Sequence, residues 1–164
     1  MIKFLVMDVD GTLTDGKIYI GKDGEIFKVF DVKDGCGIKD LLPALNITPV
    51  IITARMSDAL KCRCKELDVV ELHQGVRNKK TVLEDLLDRY SKLLNESLSL
   101  ENCAYIGDDI LDLQCMEVIK ENGGVVGCPN DAVESVKNIS DFISSKNGGN
   151  GAVREFIEWI GKGV

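Results

Sequence analysis

The chain has 164 residues, of which 45% are hydrophobic and 29% charged, and its formal net charge is -7. This composition predicts a folded chain with one sizeable hydrophobic core and excludes an intrinsically disordered protein. The acidic balance also argues against a nucleic-acid partner, because proteins that bind nucleic acids present a basic face to the phosphate backbone.

Short apolar or β-branched runs alternate with helical patterns along the chain, which predicts a β-α-β-α order. Runs without polar alternation are typical of parallel strands covered on both faces. We therefore expect an α/β fold with a Rossmann-like parallel sheet flanked by helices. The predicted strands are Lys3 to Met7, Pro49 to Ile52, Val69 to Leu72, Cys103 to Ile106 and Gly124 to Val126, and the predicted helices are Ile38 to Leu45, a helix capped by Ser57 that runs to about Leu67, Val82 to Tyr90, and Ala132 to Asn138.

Two segments depart from this alternation. Residues 17–30 contain two short strand patterns separated by an Asp-Gly turn at 23–24, which predicts a hairpin projecting after the first strand. Residues 145–164 form a tail, with a glycine-rich stretch followed by a helix from Ala152 to Ile160, and we expect this tail to be loosely attached. We find no linker or repeat, so residues 1–164 are expected to form a single domain.

The six cysteines lack the C-x-x-C spacing of zinc sites and redox dithiols. We expect most of them to be reduced and to act as small hydrophobic residues, as in a reducing cytoplasm. The apolar run from Phe4 to Met7 is too short for a signal-peptide core, and no later run approaches membrane-spanning length. A cytoplasmic location without a membrane partner is therefore expected.

Acidic residues follow two of the predicted strands. Asp8 and Asp10 end the first strand, and Asp108, Asp109 and Asp112 follow the strand that ends at Ile106. Parallel strands place their carboxyl ends at one edge of the sheet, so the two groups are expected to meet around a hard cation such as Mg²⁺. For Asp109 and Asp112 a simpler explanation is open, namely that they favour the N-terminus of the next helix.

Two further residues fit a phosphate site at the same edge. Thr53 and Ala54 end the second strand, where a hydroxyl and backbone N–H groups could hold a phosphoryl group. Lys79 begins a helix and could neutralise a nucleophile and phosphate oxygens. Taken alone, Thr53 could be an ordinary strand residue and Lys79 a solvated helix residue. Their order along the chain favours a common site.

Together these residues resemble the four motifs of the haloacid dehalogenase superfamily. The resemblance extends to its small phosphatases of sugar acids, which have no cap domain, and the short spacing between the motifs leaves no room for one. The four superfamily motifs are Asp8-x-Asp10-Gly11-Thr12, Thr53, Lys79 and Gly107-Asp108-Asp109-x-x-Asp112, and the further matches are Thr14-Asp15-Gly16, residues 30–35, Gln74-Gly75 and residues 148–155.

The resemblance implies a role for each motif residue. Asp8 would attack phosphorus to give an aspartyl-phosphate, and Asp10 would protonate the leaving oxygen and later activate water. Magnesium would be held by Asp8, the backbone carbonyl of Asp10, and Asp108. The phosphoryl group would be bound by Thr53 and Lys79, next to Gly11 and Ala54.

The resemblance also implies a substrate class and an assembly. Arg55 and Arg63 match arginines of phosphatases that act on an eight-carbon sugar acid, whereas relatives acting on nine-carbon sialic-type acids carry Glu at the first position. Ala54 and Met56 depart from the usual residues beside this loop. The related enzymes are homotetramers in which a neighbour's glycine-rich tail reaches the active site, and Arg154 would belong to that tail.

Two other classes are compatible with parts of the pattern. A signalling receiver domain is also α/β and is phosphorylated on Asp, although its acidic pair and its phosphorylated Asp lie on different strands. A non-catalytic assembly module of a sugar-nucleotide synthetase could keep this fold after losing the nucleophile. Here every catalytic position is retained.

Overall fold

The computed structural model describes residues 1–163. The strands are β1 (Phe4–Met7), β2 (Tyr19–Gly21), β3 (Gly24–Phe27), β4 (Thr48–Ile52), β5 (Glu71–His73), β6 (Cys103–Ile106), β7 (Val125–Cys128) and β8 (Phe142–Ile143). The helices are α1 (Val32–Cys36), α2 (Leu42–Ala44), α3 (Asp58–Glu66), α4 (Lys79–Leu94), α5 (Leu113–Glu121), α6 (Glu134–Ile139) and α7 (Ala152–Ile160), with a π-helical turn over Gly37–Leu41 and a 3-10 turn over Leu100–Asn102. No helix within residues 1–163 has the length and apolar character needed to cross a membrane.

Strand β1 lies at the centre of a six-stranded parallel sheet with the order β5-β4-β1-β6-β7-β8. Its four residues are apolar and buried, as expected for a strand covered on both faces. Met7 pairs with Ile51 of β4 and with Ile106 of β6, so these three strands end side by side. Because the strand order reverses at β1, the crevice beyond these ends is where open α/β sheets bind ligands.

Helices cover both faces of this sheet, because successive strand residues point in opposite directions. Leu5 and Met7 of β1 pack in a core with buried residues of α3 and α7. Phe4 and Val6 of the same strand pack in a second core, with buried residues of α4 and α5. The predicted Rossmann-like sheet flanked by helices is therefore confirmed.

The first helical segment begins earlier than the predicted start at Ile38. The Asp31 side chain accepts hydrogen bonds from the backbone N–H groups of Lys33 and Asp34, and this N-cap starts α1 at Val32. The sequence prediction did not include β8, whose two residues are too few to give a periodic signal. The other predicted boundaries lie within a few residues of the observed ones; α4 begins at Lys79 as expected and runs to Leu94, beyond the predicted end at Tyr90.

The predicted hairpin is present as the antiparallel pair β2 and β3. Its second strand ends at Phe27, three residues before the predicted end. The rings of Tyr19 and Phe27 stack with centroids 4.6 Å apart, which fastens the two strands together. Large apolar side chains nevertheless remain exposed on this hairpin, including Ile20 at 62% and Ile26 at 64%.

The C-terminal segment is packed against the body of the protein, so the expectation of a loosely attached tail is wrong. The apolar face of α7 is buried in the core formed with Leu5 and Met7. The glycines before it approach the loop after β1 so closely that a Cβ on Gly148 would lie 1.9 Å from the carbonyl oxygen of Gly11. The N–H of Gly149 donates to the carbonyl of Thr12 at 3.0 Å. These contacts require glycine, which is why the segment looked flexible in the sequence.

All six cysteines are unpaired, and four of them are buried. Burial raises the pKa of the Cys103 and Cys115 thiols to about 12, which keeps them protonated and unreactive. The prediction that most cysteines act as small hydrophobic residues is therefore confirmed, while Cys36 and Cys62 are exposed.

Candidate active site

An open pocket of about 280 Å³ lies at the carboxyl ends of the central strands. Eight residues singled out in the sequence line it: Asp8, Asp10, Thr53, Ala54, Arg55, Lys79, Asp109 and Asp112. Arg77 and Leu111 complete its wall. Residues from all four predicted motifs therefore meet in one cavity.

Lys79 links two carboxylates inside this pocket. It is the first residue of α4, and its ammonium group donates to Asp8 Oδ1 and to Asp112 Oδ1, each at 2.7 Å. The Lys79 side chain is only 1% exposed, so this charge is held away from bulk water. An unpaired buried charge costs free energy, so moving either acid away from the ammonium group is unfavourable. Lys79 therefore holds the two acids in place.

Asp112 organises the loop after β6. Its Oδ1 also accepts from the Tyr105 hydroxyl at 2.7 Å, and its Oδ2 accepts from the backbone N–H groups of Asp108 and Asp109 at 2.9 and 3.1 Å. These donors precede Asp112 in the chain, and its side chain makes no capping hydrogen bond to α5. Asp112 thus lies at the N-terminus of the next helix, as the simpler explanation expected, and it also has a place in the site.

The loop after β1 is shaped to bring Asp108 beside Asp8. The Thr12 hydroxyl donates to Asp108 Oδ1 at 2.7 Å. Gly11 has a φ of +98°, and a Cβ there would lie 2.0 Å from Asp108 Oδ2. Glycine is therefore required at position 11 both by its backbone conformation and by the closeness of the carboxylate.

Burial of these acids shifts their ionisation in the absence of a cation. Burial raises the pKa of Asp8 to about 7, with repulsion from Asp112 adding to the rise and Lys79 opposing it. Burial likewise raises the pKa of Asp108 to about 8. Repulsion from Asp8 adds to this rise, whereas the hydrogen bond from Thr12 opposes it. For Lys79, burial lowers the pKa, but the attraction of Asp112 and Asp8 outweighs it and the net shift is upward.

This crowding fits a hard divalent cation. Carboxylate oxygens of Asp8, Asp108 and Asp112 all lie within 4.8 Å of one another. Two of the three residues predicted as metal ligands, Asp8 and Asp108, are in this cluster. Asp112 already accepts four hydrogen bonds through its two oxygens, so it is better placed to orient Lys79 and the Asp108 loop than to bind metal.

Asp10 lies in the same pocket with a different set of partners. Its Oδ1 accepts from the ammonium group of Lys28, and its Oδ2 lies 3.8 Å from Arg55 Nε. Oδ2 is buried and has no hydrogen-bond partner within residues 1–163. The sequence analysis missed Lys28, because a lysine on a hairpin gives no local signal that distinguishes it from a solvated charge.

Two of the predicted substrate-binding arginines lie outside this pocket. Arg63 pairs with Glu66 at 2.8 Å, and it lines a separate cleft of about 420 Å³ that also includes Lys28. Arg154 pairs with Glu158 at 2.6 Å on the surface of α7. Within one chain, therefore, only Arg55 of the three predicted arginines reaches the pocket of Asp8.

Comparisons with known proteins agree with this site. The chain is 40% identical over 159 residues to 3-deoxy-D-manno-octulosonate 8-phosphate phosphatase of Salmonella typhi, covering 97% of this chain and 79% of the relative. The cobalt-bound Haemophilus influenzae enzyme of the same kind superposes with a TM-score of 0.87 at 35% identity, covering 98% of this chain and 88% of that one. The Moraxella catarrhalis enzyme, in complex with magnesium, phosphate and KDO, gives a TM-score of 0.85 at 40% identity, covering 98% and 86%. No protein-family model matches the chain.

The sheet order, the acidic ends of β1 and β6 and the buried lysine between them define a phosphoric monoester hydrolase of the haloacid dehalogenase type. This agrees with the resemblance found in the motifs and leaves no support for a receiver domain. The chain belongs to the family of 3-deoxy-D-manno-octulosonate 8-phosphate phosphatases.

Proposed function

We propose that the chain is a magnesium-dependent phosphatase that hydrolyses 3-deoxy-D-manno-octulosonate 8-phosphate through an aspartyl-phosphate on Asp8. The observation that carries the proposal is the convergence of Asp8, Lys79 and Asp108 at the end of the central strand: Lys79 donates to Asp8 in the pocket, and a carboxylate oxygen of Asp108 lies within 4.8 Å of one of Asp8. The names of the relatives support the substrate.

In the first step an oxygen of the Asp8 carboxylate attacks phosphorus and forms the new O–P bond. The ester P–O bond breaks, and Asp10 donates a proton to the departing sugar oxygen, so that the sugar acid leaves as an alcohol. Lys79 and Thr53, the residue after β4, hold the phosphoryl oxygens. Phosphoryl transfer needs mainly this positioning and charge neutralisation.

In the second step a water oxygen attacks the same phosphorus while Asp10 takes its proton. The Asp8 O–P bond breaks, inorganic phosphate leaves, and the Asp8 carboxylate is restored. Asp10 is again protonated for the next turnover, so one residue serves both as acid and as base.

Asp8, Asp108 and the backbone carbonyl of Asp10 would hold Mg²⁺. When bound, the ion offsets the charges of the acids and of the phosphate, which would otherwise repel each other in this pocket. The raised pKa values of Asp8 and Asp108 support this assignment, because burial and the neighbouring acids disfavour the charged carboxylates, which a bound cation would stabilise.

Arg55 supports an eight-carbon substrate. It lines the pocket and its side chain is 42% exposed, so the guanidinium can exchange its present partners Glu25 and Asp10 for a substrate carboxylate. The competing candidate is a nine-carbon N-acylneuraminate or KDN 9-phosphate. A phosphate-release screen over eight- and nine-carbon ulosonate phosphates, compared by kcat/KM, distinguishes them.

Homotetramer formation is part of the proposal, with a neighbour's tail near each active site. The exposed apolar side chains of the hairpin, such as Ile20 and Ile26, support burial against another subunit. Arg154 would then contribute to a neighbour's site, since it lies outside the pocket of its own chain. Light scattering measures the assembly, and a monomer at micromolar concentration would contradict it.

The six unpaired cysteines support a reducing, cytoplasmic location. Cell fractionation of the tagged protein tests this part of the proposal.

The covalent mechanism is tested with Asp8→Asn. We expect phosphate release to fall by at least about a thousand-fold while the circular dichroism spectrum and the assembly stay unchanged. Removal of metal with a chelator should give the same loss, restored by added Mg²⁺. Turnover by Asp8→Asn at the wild-type rate would refute the aspartyl-phosphate.

A further inference from the structure

The two catalytic carboxylates of the proposed mechanism are each held by a different lysine. Lys79 donates to Asp8, whereas Lys28 donates to Asp10. Lys28 lies just after β3, so the hairpin contacts Asp10 through this side chain. Its side chain is only 4% exposed, which is unusual for a lysine and indicates a specific contact rather than a solvated charge.

Lys28 is itself anchored by Glu25. The ammonium group lies 3.1 Å from Glu25 Oε2, and the Glu25 carboxylate also accepts from the Ser57 hydroxyl at 2.5 Å and from Arg55 at 3.3 Å. Hydrogen bonds from these three donors outweigh burial and lower the pKa of Glu25, which therefore stays charged. Lys28 is thus fixed between two acids, and only Asp10 belongs to the catalytic loop.

The contact leaves the two oxygens of Asp10 in different states. Oδ1 is engaged by Lys28, while Oδ2 is buried in the pocket wall without a hydrogen-bond partner. A buried carboxylate oxygen without a hydrogen-bond partner costs free energy, so a bound ligand that donates a hydrogen bond to it is favoured. In the proposed reaction that ligand is the leaving oxygen of the substrate, which needs one proton.

We propose that Lys28 is a positioning residue that holds Asp10 through Oδ1 and so presents Oδ2 to the leaving oxygen of the phosphate monoester. This inference rests on the proposed role of Asp10 as the proton donor. Without Lys28 the Asp10 carboxylate could rotate, and the negative charges of Asp10 and Glu25 would face each other with only Arg55 between them.

The proposal is tested by the dependence on the leaving group. An alkyl monoester such as a sugar-acid phosphate needs a proton on its leaving oxygen, whereas p-nitrophenyl phosphate releases an anion that needs none. The quantity compared is kcat/KM, which reports the steps up to departure of the leaving group. We expect Lys28→Met to lower kcat/KM about a hundred-fold for the alkyl monoester and less than about threefold for p-nitrophenyl phosphate.

Lys22→Met is the matched control, because Lys22 is an exposed lysine in the turn of the same hairpin. It should leave both values of kcat/KM unchanged, and Lys28→Arg should restore most of the lost alkyl activity. Melting temperature and light scattering compare the folding and assembly of the variants. Should Lys28→Met fail to fold, Lys28→Gln provides the same comparison with a polar side chain.

Equal losses for the two substrates, or no loss for either, would overturn the role of Lys28. The test uses the alkyl monoester that the wild-type enzyme turns over fastest. An error in the proposed function is seen elsewhere, as a wild-type enzyme that prefers a different sugar or as an active Asp8→Asn variant.

Discussion

The Asp112 carboxylate accepts a 2.7 Å hydrogen bond from the ammonium group of Lys79, which in turn donates to Asp8. Asp112 is only 1% exposed, and its two oxygens are engaged by hydrogen bonds from Lys79, Tyr105 and the backbone of Asp108 and Asp109. Its effect on phosphoryl transfer therefore passes through Lys79 and through the loop that carries Asp108.

We predict that Asp112→Asn lowers kcat/KM by about ten- to a hundred-fold, because Lys79 loses one of its two charged partners. Asp109→Asn is the matched control: Asp109 lines the same pocket but has no ion pair with Lys79. Steady-state assays at saturating Mg²⁺ measure the difference. A larger loss in the Asp109 variant would contradict this account of Asp112.

Magnesium binding is predicted to release protons near neutral pH. Without metal, burial raises the pKa of Asp8 to about 7 and that of Asp108 to about 8, and repulsion from Asp112 and from Asp8, respectively, adds to these rises. Metal ligands must be deprotonated to bind. Apparent affinity for Mg²⁺ should therefore increase as the pH rises from 6 to 8, about tenfold or more over this range. Calorimetry in buffers with different ionisation enthalpies counts the protons, and a binding enthalpy independent of the buffer would be inconsistent with this prediction.

Arg55→Ala is predicted to raise KM for octulosonate 8-phosphate by about ten-fold or more, since the variant loses a charge-assisted contact to the sugar-acid carboxylate. The effect on p-nitrophenyl phosphate, which has no carboxylate, should be smaller than about threefold. The two substrates are assayed side by side with the same enzyme preparation. An identical rise in KM for both would show that Arg55 serves the phosphate or the fold instead.

Asp34 is predicted to make the stability of the protein depend on pH. It is 2% exposed, and its Oδ1 accepts from the backbone N–H of Arg154 at 2.8 Å at the start of α7. Burial outweighs this hydrogen bond and raises the pKa of Asp34 to about 6. A raised carboxyl pKa favours folding when the group is protonated, so this contribution is complete below about pH 4 and is lost as the pH rises through 6.

The matched variant is Asp34→Asn, which cannot ionise. The wild-type free energy of unfolding minus that of the variant should fall by up to about 3 kcal/mol between pH 4 and pH 8. Urea titrations of both proteins across that range, with a chelator present, provide the measurement. A difference that grows with pH would show that the backbone hydrogen bonds dominate over burial.

Much of the fold could be predicted from sequence because its signals are local. Each central strand is a short run of apolar residues, and the acids of the site come soon after such runs: Asp8 directly after Met7, and Asp108 two residues after Ile106. The common edge of parallel strands then brings Asp8 and Asp108 together without any knowledge of distances.

The remaining features depend on contacts between distant parts of the chain. Lys28 is buried only because the hairpin folds back over Asp10, and Asp112 joins the site only because Tyr105 and Lys79 reach it. The glycines at 148 and 149 looked flexible, whereas they are small because the loop at Gly11 lies against them. No periodicity or spacing within one segment carries this information.

The packing of Gly148 and Gly149 on the loop after β1 has a consequence for substitutions far from the nucleophile in sequence. A side chain at Gly148 would collide with the backbone of Gly11, and one at Gly149 with the backbone of Thr14 and Asp15. Because the same loop holds Asp108 through the Thr12 hydroxyl, such a change would displace the surroundings of Asp8 although it lies about 140 positions away in the chain.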